Sequence, residues 1–358
     1  MAKSGEASVK RINLALQGGG AHGAFTWGVL DRLLSDERIA IDGLSGTSAG
    51  AMNAALVVDG WARGGRDGAR EALDTFWRRI GDAGRFSPLA PSPIERWFGG
   101  WSYDRAPAFA WFDAMTRFLS PYQTNPFNYN PLRRILERSI EFDCLRACTD
   151  MRLFISATNV RKGKNRIFTS EEIDIDVLLA SACLPHLFHA VEIGEQSYWD
   201  GGFLGNPALY PLIYNCQSRD IVIVQINPLE ILETPRSAAA ILDRMNDISF
   251  NAALIAEIRA IDFVGRQLDQ HRLQEGRYKH MLLHMIEAEG ALREFGYASK
   301  IAADRHFLEH LRGIGERAAD AWLAANFERL GAETTLPVER FLSADQRQPA
   351  RVAGAPSR

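Results

Sequence analysis

The chain has 358 residues, of which 46% are hydrophobic and 24% charged, with a formal net charge of −3 at pH 7. That is ample apolar material for a buried core, in one large domain or two small ones. The near balance of 41 basic and 44 acidic residues gives no electrostatic reason to expect nucleic-acid binding, and no basic run marks a membrane-surface patch.

The first residues, Met1 to Arg11, are polar and charged, without the apolar stretch of a secretory signal. No apolar run reaches the ~18 residues of a transmembrane helix. The cysteines, Cys144, Cys148, Cys183 and Cys216, form no C-x-x-C pair, so neither a disulfide framework nor a zinc site is expected. A reduced, cytoplasmic protein without metal or organic cofactor is the expectation.

Ile12 to Leu16 is a short apolar run that stops at glycines, as a buried strand would. The segment Gln17-Gly18-Gly19-Gly20-Ala21-His22-Gly23 follows. Ala24 to Leu34 then reads as a helix, with Phe25, Val29, Leu30, Leu33 and Leu34 at helical spacing. Ile39 to Leu44 resembles a second strand. It runs into Gly46-Thr47-Ser48-Ala49-Gly50, a G-x-S-x-G placed 28 residues after the first glycine loop. A serine between such glycines sits on a sharp strand-to-helix turn that exposes its hydroxyl. Ala49 to Val58 is small and apolar, as a helix buried beneath a sheet should be.

Residues 84–130 change character. They are rich in proline and glycine and carry Trp97, Phe98, Trp101, Tyr103, Trp111 and Phe112. Packing on the main body is the favoured reading, and a cap lining an apolar pocket is the sharper one. Strand patterns return at Arg152 to Asn159 and at Asp220 to Asn227. Between them lies Asp200-Gly201-Gly202, a carboxylate in a tight turn. From about Ser237 to Leu330 the pattern is helical. Leu254, Ile255, Ile258, Ile261, Val264 and Leu268 form one apolar stripe, read as core packing. The tail, 345–358, is expected to be disordered. Alternating strands and helices predict an α/β fold with a largely parallel sheet.

The first glycine loop has two meanings. Gly18, Gly20 and Gly23 match G-x-G-x-x-G between a strand and a helix, as a dinucleotide site requires, with Asp42 at about the right distance to hold a ribose. That reading leaves G-x-S-x-G unexplained. The other reading is an oxyanion hole, since consecutive N–H groups at a helix start can hold the charge that acyl transfer develops. Ser48, Asp200 and the glycine loop together favour acyl transfer. A Ser-His-Asp triad would need a base histidine. His271, His280, His284, His306 and His310 lie in the polar helical region, His186 and His189 precede Asp200, and His22 is in the loop itself. None of the five that follow Asp200 sits in a recognisable active-site turn, and His22 is placed to support the oxyanion hole or to cap a helix.

With these motifs the sequence resembles the bacterial patatin-like phospholipases. Gly18 to Gly23 matches their G-G-G-x-x-G, Gly46 to Gly50 their G-x-S-x-G, and Asp200-Gly201-Gly202 their D-G-G. Ser181-Ala182-Cys183-Leu184-Pro185 resembles the small-residue segment before the acid, with Cys183 in place of the commoner serine. The resemblance covers roughly residues 10–230. It implies a three-layer α/β/α fold and a Ser-Asp dyad, with Ser48 as nucleophile and Asp200 as base. It places the oxyanion on the N–H groups of Gly18, Gly19 and Gly20, with Gly23, Gly46, Gly50, Gly201 and Gly202 as motif support. The expected domains are a catalytic unit over 10–235 and a helical C-terminal extension over 237–330. The expected activity is hydrolysis of phospholipid, lysophospholipid or related acyl esters, with transient contact at a membrane surface. An acyltransferase using the same site is the alternative.

Overall fold

The computed structural model describes residues 9–84, 118–274, 276–293 and 295–342. The aromatic positions Trp97 to Phe112 and the 345–358 tail lie outside these residues. One eight-stranded sheet organises the rest. Its strands are β1 (Lys10–Leu16), β2 (Ile39–Gly46), β3 (Arg152–Asn159), β4 (Lys164–Thr169), β5 (Val191–Ile193), β6 (Gln196–Asp200), β7 (Asp220–Val224) and β8 (Leu282–Ile286). The pairing order is β5-β6-β3-β2-β1-β7-β8, with β4 also on β3. From β3 to β8 the neighbours are parallel, and β4, β5 and β6 add antiparallel pairs.

The central strands are apolar on both faces, as a sheet covered on both sides requires. Along β7, Val222 and Val224 join one core cluster and Ile221 and Ile223 the other. Side chains alternate across a strand, so these clusters lie on opposite faces of the sheet. The first is covered by helices α1 (Gly23–Leu34), α2 (Ala49–Gly84) and α5 (Arg305–Asn326). The helix α3 (Ile175–Ser181) adds Val177 and Leu178 to it. Over the second face lies α4 (Ala238–Asp269), through Leu254 and Ile258, with the short helix Tyr210–Asn215. The result is three layers, helix on sheet on helix.

The sequence pattern predicted most of these elements, and three differences have physical reasons. Helix α2 runs far past Val58, because Gly64 and Gly65 break it and let the second half, with Leu73, Phe76 and Trp77, fold back into the same core. The stretch over 237–330 is not wholly helical. Leu282–Ile286 forms β8 and pairs in parallel with β7. A short apolar run cannot be assigned by periodicity, and the open edge of β7 decides its state. Strand β7 itself stops at Val224, and the next residues turn to hold the glycine loop. The stripe on α4 packs as expected at Leu254, Ile258 and Leu268, all buried.

Candidate active site

Strand β2 ends at Gly46 and α2 begins at Ala49, so Ser48 occupies the turn between them. Its backbone has φ of 53°, a left-handed conformation that costs a non-glycine residue about 1 kcal/mol or more. The surroundings hold it there. The Ser48 N–H donates to Ser181 Oγ at 2.9 Å, and the Ser48 carbonyl accepts from Ala51 N at 2.9 Å. Gly50 lets the first turn of α2 cross the end of β1, since a Cβ there would lie 2.2 Å from the Leu16 carbonyl oxygen. The turn thereby aims the Ser48 side chain into a cavity of about 320 Å³, which is large enough for a small ligand.

Asp200 reaches the same cavity through the sheet register. On β3, Ile155 faces Gly46 of β2, and two residues further Ala157 faces Asp200 of β6. Strand β4 occupies the other edge of β3 over both positions. Strand β6 therefore continues the row that β2 leaves at the serine turn, and its last residue arrives beside Ser48. Its backbone is tied down by Asp200 N to Cys183 O at 2.8 Å and by Thr158 Oγ1 to Asp200 O at 2.8 Å. Gly201 and Gly202 form the turn that follows, and Gly202 N donates to Asp200 Oδ1 at 2.7 Å.

The other carboxylate oxygen, Oδ2, is buried and accepts no hydrogen bond among the described residues. Burial is complete and pushes the carboxyl up to about 7, against smaller downward pulls from the Gly202 N–H and the Ser48 hydroxyl. The Ser48 hydroxyl is thus close enough to be felt by the carboxylate, yet it is not docked on Oδ2 by a well-directed hydrogen bond.

The glycine loop lies against the serine, since a Cβ on Gly18 would come within 2.6 Å of Ser48 Cβ. Four amide side chains fix its entry. Gln17 Oε1 accepts from Ile226 N at 2.8 Å and Asn227 N at 2.9 Å, and Gln17 Nε2 donates to Asn251 Oδ1 at 2.9 Å. Asn227 Nδ2 donates to Gly18 O at 2.7 Å. The Gly18 N–H, expected to face the oxyanion, is instead donated to Asn206 Oδ1 at 2.6 Å. Gly19 and Gly20 line the cavity, and their N–H groups meet no acceptor among the described residues. Gly20 has φ of 59°, a conformation that glycine adopts without strain. The Ala49 N–H, first in α2, also has no described acceptor. Gly23 opens α1 on the far side of the loop.

Most of the histidines that the structure ties down are engaged elsewhere. His22 Nε2 meets Ser299 Oγ at 2.7 Å. Burial, then the nearby Lys300 charge, pushes His22 down to about 3 and keeps it neutral. His189, His280 and His284 engage Pro121 O, Asp269 and Asp220. His186 lines the cavity. Asp42, the acid a dinucleotide site would need, is buried and accepts from Gln217 N at 2.6 Å and Ser218 N at 2.7 Å. These bonds commit Asp42 to the turn at residues 217 and 218, and the dinucleotide reading is not favoured.

The cavity wall is largely apolar, with Met52, Phe76, Trp77, Leu184, Leu187 and Phe250, and one polar stretch is formed by Asn246, Asp247 and Lys300. Sequence reasoning did not find Ser181 as a partner, nor Asn206, Asn227 or Lys300. Only Ser181 carried a signal, because it opens the small-residue segment ahead of Asp200. Among the described residues no three His, Cys, Asp or Glu side chains are grouped to hold a metal, and no helix is long and apolar enough to cross a membrane.

Residues 14–213 match the family model described as patatin-like phospholipase. A search of curated proteins gave no match. Among solved structures, VipD from Legionella pneumophila matches with 15% identity and a TM-score of 0.38, over 85% of this chain and 67% of that one. Full-length ExoU, in complex with SpcU from the type III secretion system of Pseudomonas aeruginosa, matches with 15% identity and a TM-score of 0.31, over 88% and 53%. A second ExoU structure gives 14%, 0.33, 94% and 54%. The chain spans about half the length of the ExoU chains that it matches.

Proposed function

The chain belongs to the patatin-like phospholipase family, and from that premise and the geometry of the cavity we propose that it cleaves acyl esters of lipids through a Ser48–Asp200 dyad. Lipid acyl hydrolysis is the activity that membership implies. One observation carries the finer reading. Asp200 places a buried oxygen without a described hydrogen bond in the same cavity as a strained serine and the Gly19 and Gly20 N–H groups, which meet no acceptor among the described residues.

In this mechanism Ser48 Oγ attacks the ester carbonyl and its proton passes to Asp200 Oδ2. An ordinary aspartate is too weak a base for this, and burial corrects it by bringing the proton affinity near the working pH. The carbonyl oxygen becomes an oxyanion held by the Gly19 and Gly20 N–H groups, with Ala49 N–H as a third donor from the helix start. Collapse of the tetrahedral species breaks the ester bond, and protonated Asp200 gives its proton to the departing alkoxide. A water then donates its proton to Asp200 and attacks the acyl-enzyme. The fatty acid leaves and Ser48 recovers its proton.

The apolar wall suits an acyl chain, since each methylene moved from water contributes about 0.8 kcal/mol. Ile241, Met245 and Ile248 of α4 are exposed close to Asn246, which lines the cavity. Their position supports delivery of the lipid from a membrane surface. The test is incubation of purified protein with phospholipids, lysophospholipids and neutral glycerides, with mass-spectrometric product analysis beside Ser48→Ala. Free fatty acid from wild type alone is the expected result. No fatty acid from any lipid would overturn the reading.

A further inference from the structure

Lys300 takes no part in the mechanism above, yet its side chain lines the cavity wall and is only 16% exposed. Nζ lies 2.8 Å from Asp247 Oδ1 and 3.4 Å from Asp243 Oδ1. Partly burying such a cluster costs more desolvation than an exposed pair would, so it is weak evidence for stability alone. The backbone at this residue has a second contact. A Cβ on Gly20 would lie 2.2 Å from the Lys300 carbonyl oxygen, so the two main chains are pressed together at the glycine with φ of 59°. One residue earlier, Ser299 Oγ meets His22 Nε2 at 2.7 Å. Residues 299 and 300 therefore back the turn from Gly20 to His22.

Asp243 and Asp247 belong to α4, and α4 also carries Asn251, which accepts from Gln17 Nε2 at 2.9 Å. This helix holds the glycine loop at both ends, through Gln17 where the loop begins and through Lys300 where it turns at Gly20. All of these α4 and 299–300 residues lie outside the stretch 14–213 that matches the family.

We propose that Lys300 is a positioning residue, whose ion pair with Asp247 clamps the glycine loop so that the Gly19 and Gly20 N–H groups stay aimed at the oxyanion. The inference rests on the reading of that loop as the oxyanion hole. The clamp acts on the transition state and not on ground-state binding, so its loss falls on kcat and leaves KM in place.

The test uses the full chain and p-nitrophenyl butyrate. Lys300→Met keeps the stem and removes the charge. Its kcat is expected to fall about 10- to 100-fold with KM within about twofold of wild type, as for a misplaced oxyanion donor. The double variant Asp247→Asn/Lys300→Met leaves neither charge at that pair, and it carries the test where the single variant melts early. It is expected to melt within a few degrees of wild type and still turn over slowly. Wild-type kcat in a folded single or double variant would overturn the clamp, as would a fall in kcat matched by a proportional rise in KM. Wild type that fails to hydrolyse the ester would refute the hydrolase reading instead, which separates the two failures.

Discussion

Replacing Asp200 by asparagine tests the proposed base in two independent ways. The folded chain raises this carboxyl from 3.8 to about 7, a change worth roughly 4 kcal/mol as an order of magnitude. Between those values the native state keeps a proton that the unfolded state has released. Wild type is therefore expected to lose stability as pH rises through this window, by up to about 4 kcal/mol, and to change no further above it. The asparagine side chain keeps an oxygen for the Gly202 N–H and carries no charge to desolvate, so the variant's stability should not follow that slope. Asp200→Asn should accordingly gain on wild type from pH 4 to pH 8 while losing about 10²- to 10⁴-fold in turnover, the usual contribution of a general base. Wild-type kcat/KM on a neutral p-nitrophenyl ester should rise with an apparent midpoint near 7, and at pH 5 it should stand about 100-fold below its plateau. Urea melts and rate profiles of both proteins over pH 4 to 9 supply the measurements. Retained turnover in Asp200→Asn, an acid limb centred near 4, or parallel stability curves would each refute the argument.

Ser48→Ala should abolish ester hydrolysis and labelling by a fluorophosphonate probe, while its melt stays close to wild type because the Ser48 hydroxyl makes no well-directed hydrogen bond to Asp200 Oδ2. Ser48→Gly should be equally inactive but about 1 kcal/mol more stable than Ser48→Ala, since glycine accepts the φ of 53° without strain; an alanine variant at least as stable would contradict the strained turn. Gly20→Ala should lose both stability and turnover, because its Cβ would meet the Lys300 carbonyl oxygen at 2.2 Å; near-normal melting and kcat would remove the close packing from the account. Chelation by EDTA should leave activity unchanged, and a loss restored by calcium would show that the described carboxylates miss an essential ion.

The sequence was most legible where local geometry demands particular residues. Gly46 to Gly50 announced a strand–turn–helix, because few other residues let a serine sit between β2 and α2 with a carbonyl packed onto the first helical turn. Apolar runs marked β1, β3 and β7, and the 3.6-residue spacing marked α1. Each of these signals resides in a short window of chain. Strand β8 was missed because Leu282–Ile286 is too short for a period and carries a histidine, whose ring nitrogens are satisfied by Asp220 and Thr335 from distant segments.

By itself, then, the sequence determined the family, the alternating α/β order and the residue types available for acyl transfer. Tertiary structure decided what those residues can do. Asp200 meets Ser48 because β6 takes up the edge of β3 where β2 leaves it, a register written in no local motif. The same burial lifts the Asp200 carboxyl to about 7 and lowers His22 to about 3, since removing water penalises the charged form of each. The glycine loop named three N–H groups, and the fold spent one of them on Asn206 and left the other two without an acceptor among the described residues, with Gly20 packed against the Lys300 carbonyl. Proton affinity and donor direction are properties of a three-dimensional surrounding, so they appear only once the distant parts of the chain have packed together.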